Sequence, residues 1–143
     1  MRHKEINILL VEDDEVDVMN VERAFKRNNI SNRLYVAKNG IEALQMLRGK
    51  NDDPPEIPSG RLLILLDLNM PKMSGIEFLH HLRADPDLRM TPVIVLTTSN
   101  QDKDRYEAYH LNVAGYILKP VTFSNFAETI ATLNKYWCLC ELP

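Results

Sequence analysis

The run Leu62-Leu63-Ile64-Leu65-Leu66, closed by Asp67, constrains this chain more than any other stretch. Five consecutive apolar residues without polar alternation fit a strand buried on both faces, as in the middle of a parallel sheet. The run stops at a carboxylate, with Asn69 two residues on and Met70-Pro71 completing a turn. In an open α/β sheet, ligands bind beyond the carboxyl ends of the strands, so Asp67 stands where chemistry is done. Taken alone, Asp67 fits an ordinary turn residue equally well. The rest of the chain has to decide.

Residues 6–11 (I-N-I-L-L-V) read as a second buried strand, ended by Glu12-Asp13-Asp14. Val18, Val21 and Phe25 then recur at helical spacing, which predicts an amphipathic helix over about 15–28. A short strand at 34–37 precedes a helix opened by Asn39-Gly40 and carrying Ile41, Leu44 and Leu47. The segment 49–60, with Asp52, Asp53, three prolines and Ser59, reads as an exposed loop, longer than most such connections. After the central strand, Ser74-Gly75-Ile76-Glu77 has capping-box spacing and opens a helix to about Ala84. A strand at 93–96 ends in Thr97-Thr98-Ser99, with Ser99 placed to cap a helix over about 101–110. A last strand at 114–118 ends in Lys119-Pro120, and the final helix carries Phe126, Ile130, Leu133 and Trp137 on one stripe. Five strands alternating with five helices predict an α/β fold, a parallel sheet with helices on both faces.

With 143 residues, the chain is long enough for one domain and short for two. Its 45% hydrophobic and 26% charged residues are ordinary for a globular protein. The net charge of -3, with no basic block, argues against a nucleic-acid or anionic-membrane surface. Residues 1–4 lead straight into a strand without a signal-peptide core, which predicts a cytoplasmic protein. Cys138 and Cys140 are too few for a zinc site and too close for an unstrained disulfide, so two reduced thiols are expected.

Four strand ends therefore carry pointed chemistry: Glu12 and Asp13, Asp67, Thr97 and Lys119. In a parallel sheet these share one edge. Clustered carboxylates raise one another's pKa unless a cation sits among them, and Mg²⁺ suits a few carboxylates that leave room for water and phosphate. A cation, an ammonium and a hydroxyl are also what a transferring phosphoryl group needs, since its catalysis is mostly positioning and charge neutralisation. Asp67, alone on the middle strand, is the carboxylate placed to accept the group as an acyl phosphate. Each residue alone also fits a cap, a turn or surface charge. Their conjunction at four strand ends carries the argument.

Those residues, read as Leu10-Val11-Glu12-Asp13, Asp67-Leu68-Asn69-Met70-Pro71 with Gly75, Thr97, and Lys119-Pro120, resemble the receiver domains of two-component response regulators. The separations of 30 residues from Asp67 to Thr97 and 22 from Thr97 to Lys119 match as well. The resemblance spans nearly the whole chain. It implies a flavodoxin-like (βα)5 sheet of order 2-1-3-4-5, with Asp67 phosphorylated from a histidine-kinase phosphohistidine. It further implies that Asp13, Asp67 and the Asn69 carbonyl ligate Mg²⁺, with Glu12 acting mainly through water. Thr97 and Lys119 would grip the phosphoryl oxygens, Tyr116 would be the switch aromatic moving with Thr97, and the Lys119–Pro120 bond would be cis. Asn69 and Ser99 occupy positions that tune self-dephosphorylation in relatives. More narrowly, Val11-Glu12-Asp13-Asp14, the Pro-rich insertion and Leu133-Asn134-Lys135-Tyr136-Trp137 resemble the small regulators paired with bacterial phytochrome kinases.

The expected organisation is one receiver domain over 1–143, with a short extension at about 136–143 and no output domain. Such a protein is a phosphoacceptor, not an enzyme beyond its own phosphorylation and dephosphorylation. The alternative is an Mg²⁺-dependent aspartyl-phosphate phosphatase of the haloacid-dehalogenase type. That reading expects an acid two residues after the nucleophile, where this chain has Asn69, which cannot give a proton. A nucleotide-binding module would need a Gly-rich loop where Glu12-Asp13-Asp14-Glu15 stands. Finally, Tyr136, Trp137, Leu139 and Leu142 are expected to lie beyond the cover of the sheet. With Tyr106, Tyr109 and Val113 of the fourth helix and the fifth strand, they would form a homodimer face.

Overall fold

A computed structural model describes residues 5–50, 52–58 and 60–143; residues 1–4, read above for a leader, and Ser59 of the long loop lie outside them. The strands are β1 (Asn7–Val11), β2 (Leu34–Ala37), β3 (Leu62–Leu66), β4 (Val93–Thr97) and β5 (Gly115–Leu118). Between and after them run α1 (Glu15–Arg27), α2 (Gly40–Arg48), α3 (Gly75–Ala84), α4 (Asp102–His110) and α5 (Phe123–Leu139). All pairings are parallel, in the order β2-β1-β3-β4-β5, so the fold is flavodoxin-like as expected. Every residue of β3 and β4 is buried, which is why both strands read as unbroken apolar runs.

Alternate residues feed two cores. Leu9, Val11, Ile64, Leu66, Val93 and Val95 face α2, α3 and α4, while Ile8, Leu10, Leu63, Leu65, Ile94 and Leu96 face α1 and α5. Caps fix where the helices begin. The side chains of Asp14, Asn39, Ser74 and Thr122 each accept a backbone N–H of the first turn that follows. Among the described residues, no helix is long and apolar enough to cross a membrane.

Four expectations need correction. The 49–60 loop is not simply exposed, because Ile57 is buried and its N–H donates to the Met46 carbonyl 3.2 Å away. Ser99 does not cap α4. Gln101 holds that position without a side-chain bond, and Ser99, two residues earlier, donates its hydroxyl to Asp104 Oδ2 at 2.6 Å instead. The Lys119–Pro120 bond is trans, the isomer intrinsically favoured by about 0.5–1 kcal/mol.

Trp137 is fully buried rather than projecting from the sheet. Helix α5, at 17 residues about 25 Å long, does overrun the five-residue strands. What covers its end is Phe25 of α1, at 6.0 Å between ring centroids, together with Ile6 and Leu142 of the same apolar cluster. The last residue is tied in too: Arg61 N–H donates to the Pro143 carbonyl at 2.6 Å. Of the residues expected on the dimer face, Val113 is also buried, whereas Tyr106, Tyr109, Tyr136 and Leu139 are exposed.

Candidate functional site at the carboxyl edge of the sheet

Backbone register sets the site before any side chain is considered. Val11 pairs with Leu66 and Thr97 with Leu118, so the residues following β1, β3 and β5 and the end of β4 share one edge. The Asp67 N–H donates to the Val11 carbonyl at 3.0 Å, and the Lys119 N–H to the Thr97 carbonyl at 2.8 Å. The sheet ladder thus extends one residue into the site on both sides. The loop after β3 is held from below by Gly75, whose N–H donates to the Leu68 carbonyl at 3.0 Å. A Cβ at Gly75 would collide with the Asp67 carbonyl oxygen and lie 2.7 Å from Leu68 Cα. Only glycine lets α3 start this close beneath the aspartate.

Carboxylate oxygens of Glu12, Asp13 and Asp67 lie within 4.8 Å of one another. Glu12 and Asp67 are buried, and Asp13 is the solvent-side member. Burial pushes Glu12 up to about 7, and the Asp67 charge adds to that, against the opposing pull of the Lys119 hydrogen bond and charge. Burial likewise raises Asp67, while Lys119, the Thr97 hydroxyl hydrogen bond and the Leu68 N–H lower it. Lys119 Nζ is bonded to Glu12 Oε1 and lies 3.7 Å from Asp67 Oδ1. Its own pKa is pulled down by burial but raised overall by Glu12, Asp67 and Asp17.

Asp17 belongs to this network and was not predicted from the sequence. Its Oδ2 lies 2.9 Å from Lys119 Nζ. Three carboxylates, Glu12, Asp17 and Asp67, therefore gather about one ammonium, with Asp13 beside Glu12 and Asp67, an excess of negative charge that a divalent cation with oxygen ligands would offset. The donor set fits such an ion: hard oxygens, close together, with one open to solvent. Asn69 lies exposed on the loop after β3, two residues beyond Asp67.

Thr97 is fully buried, and its Oγ1 accepts the Ser99 N–H at 3.3 Å. Tyr116, half-buried against the α2–α4 core, donates its hydroxyl to the Ser99 carbonyl at 2.8 Å. Burial raises the Tyr116 phenol, outweighing that hydrogen bond. Ser99 thus joins Thr97 on β4, Tyr116 on β5 and Asp104 on α4 through its N–H, carbonyl and hydroxyl. Glu12, Asp13, Asp67, Asn69, Thr97, Ser99, Tyr116 and Lys119 all fall at or beside this edge.

The family model for the response regulator receiver domain matches residues 8–131 of the chain. Rcp1, a response regulator of Synechocystis, is 35% identical over 132 residues, covering 91% of this chain and 87% of its own. Its Mn²⁺-bound structure superposes with a TM-score of 0.82 at 32% identity, over 96% of this chain and 99% of that one. The phosphorylated cyanobacterial phytochrome response regulator RcpA superposes with a TM-score of 0.84 at 31% identity, over 98% and 99% of the two chains. FilR2 of Methanothrix harundinacea, described as a probable methanogenesis regulatory protein, is 37% identical over 130 residues, covering 91% of this chain and 82% of its own.

Proposed function

Because the chain belongs to the response regulator receiver family and serves as a phosphorelay response regulator, we propose that Asp67 is its phosphoacceptor. A carboxylate oxygen of Asp67 attacks phosphorus on a kinase phosphohistidine. An O–P bond forms, the P–N bond breaks, and the electron pair stays on the imidazole nitrogen. The observation that carries this reading is the placement of Asp67 between Glu12 and Asp13 on one side and Thr97 and Lys119 on the other. Lys119 neutralises charge gathering on the phosphoryl oxygens, and the Thr97 hydroxyl, already directed at Asp67, turns to bind one of them. Tyr116 follows Thr97 through their shared partner Ser99.

Asp13, Asp67 and the Asn69 backbone carbonyl would hold Mg²⁺, with Glu12 reaching it through water. When bound, the ion offsets the excess carboxylate charge so that the phosphoryl group can approach. Asn69 stands where a phosphatase of the haloacid-dehalogenase type would need an acid, so the protein signals rather than turning over phosphoesters. Residues 8–131 form the receiver unit, which acts in the cytoplasm.

The partner we infer is a phytochrome-type histidine kinase, supported by the likeness to RcpA. Phosphotransfer from a panel of phosphorylated histidine kinases of the source organism tests it: a phytochrome kinase should transfer fastest, and a strong preference for an unrelated kinase would refute the pairing. A homodimer is supported by the exposed Tyr106, Tyr109 and Leu118, with Tyr136 and Leu139 at the end of α5. Sedimentation at tens of micromolar should show a dimer that Tyr106→Asp and Leu139→Asp weaken. Monomers throughout, with or without phosphorylation, would end that idea.

A further inference from the structure

The ammonium of Lys119 is held by a carboxylate that no strand end supplies. Asp17 is the third residue of α1, and its N–H donates to the capping Asp14 at 3.2 Å. Its carboxylate lies 2.9 Å from Lys119 Nζ, whereas Asp67 Oδ1 lies 3.7 Å away. The three partners of Lys119 differ in burial: the Glu12 and Asp67 side chains are 2% and 6% accessible, that of Asp17 35%. Parting from a buried carboxylate strands an uncompensated charge, while a half-exposed one is simply returned to water. Asp17 also sits in the first turn of a helix, where the macrodipole favours a negative charge without any cation. It is the partner that Lys119 can leave at least cost.

We propose that Asp17 is a positioning residue: it tethers Lys119 to α1 while Asp67 is bare, and it is the contact released when Asp67 accepts a phosphoryl group. This rests on Asp67 being the phosphoacceptor. Before transfer, Asp17 competes with the incoming phosphoryl oxygens for the same ammonium. After transfer, Lys119 has moved to the phosphoryl group and Asp17 no longer holds it. The tether therefore slows uptake and leaves decay of the phosphorylated state unchanged. A residue that merely supported the fold would alter both.

The test uses the full chain with acetyl phosphate and Mg²⁺, following uptake by intact mass, and decay after removal of the donor. Asp17→Asn and Asp17→Ser are compared with wild type and with Glu15→Gln. Glu15 is exposed in the same turn, so that substitution removes the same charge outside the Lys119 contacts. Both Asp17 variants should take up phosphoryl groups about two- to fivefold faster, the span expected of one half-exposed ion pair. Glu15→Gln should match wild type, and all four chains should decay at one rate. Equal acceleration in Glu15→Gln would assign the effect to net charge alone and overturn the proposal. So would wild-type uptake in both Asp17 variants, or a decay rate that changes in step with uptake. Failure of the wild-type chain itself to take up a phosphoryl group would instead sink the phosphoacceptor reading beneath it.

Discussion

At the amino end of the sheet, Trp137 is buried against Phe25, and the Arg83 guanidinium donates to four carbonyls: Leu111 at 2.6 Å, Thr91 at 2.7 Å, Arg89 at 2.9 Å and Asn112 at 3.2 Å. At the carboxyl end of the same strands, Glu12 and Asp67 are buried with raised pKa values, and Asp13, Asp17 and Lys119 crowd beside them. One end fills its volume and ties four turn carbonyls to a single guanidinium, with only the Trp137 Nε1 among its described side chains buried without a hydrogen-bond partner. The other holds like charges together that would separate in water. The contrast locates stability and function in different places, as expected when a site is held in its geometry by a scaffold that does not share its strain.

Substitutions at the two ends should therefore fail differently. The largest effect on stability is expected from Trp137→Ala, which empties a fully enclosed site and should cost about 3–5 kcal/mol in denaturant unfolding. The fraction that remains folded should still accept phosphoryl groups at Asp67. Next comes Arg83→Met, which keeps much of the side-chain volume but leaves carbonyls of the 88–91 and 111–112 turns without their donor. A loss of roughly 1–3 kcal/mol is expected, with hydrogen exchange accelerated in those turns first. Normal phosphorylation with reduced stability in both variants would uphold the division of labour. Lost phosphorylation in the folded molecules would break it.

At the carboxyl end, the effect is smaller and depends on pH. Glu12 is raised from an ordinary value of 4.5 to about 7, chiefly by burial. Between those values the folded chain binds a proton that the unfolded chain has lost. Stability in a chelator should thus rise as pH falls from about 7 toward 4.5. Asp85, lowered by the Asp87 N–H and by Arg48, pulls the other way: its contribution is present above its unfolded pKa and is lost as pH falls through the folded one. Subtracting the profile of Glu12→Gln isolates the Glu12 part. Saturating Mg²⁺ should flatten that difference, because the ion keeps the cluster ionised. A difference profile unmoved by Mg²⁺ would argue against the acidic cluster as the metal site.

The order of legibility follows the same division. The strand ends were readable because β1, β3 and β4 are buried on both faces, and each run stops where the chemistry starts. Thr97 and Lys119 could then be brought to Asp67 by topology alone. Asp17 could not, since an acidic residue in a helix's first turn reads as ordinary dipole complementarity, and its partner lies 102 residues away. Trp137 escapes local reading for a related reason: the stripe on α5 is visible in the sequence, but the cover over its end comes from Phe25 and the chain's own tail. Ser99 carried the right residue type for a cap and a different task. What local pattern could not supply was partnership between distant side chains.

The most direct test of the account is the mass of the intact chain after incubation with acetyl phosphate, with Mg²⁺ or with excess chelator. Wild type should gain one phosphoryl group with Mg²⁺ and none in chelator. Asp67→Asn, nearly isosteric and equally folded, should gain none in either, because an amide cannot form the acyl phosphate. Full labelling of Asp67→Asn, or of wild type without a divalent cation, would contradict the assignment of Asp67 and of the acidic edge around it.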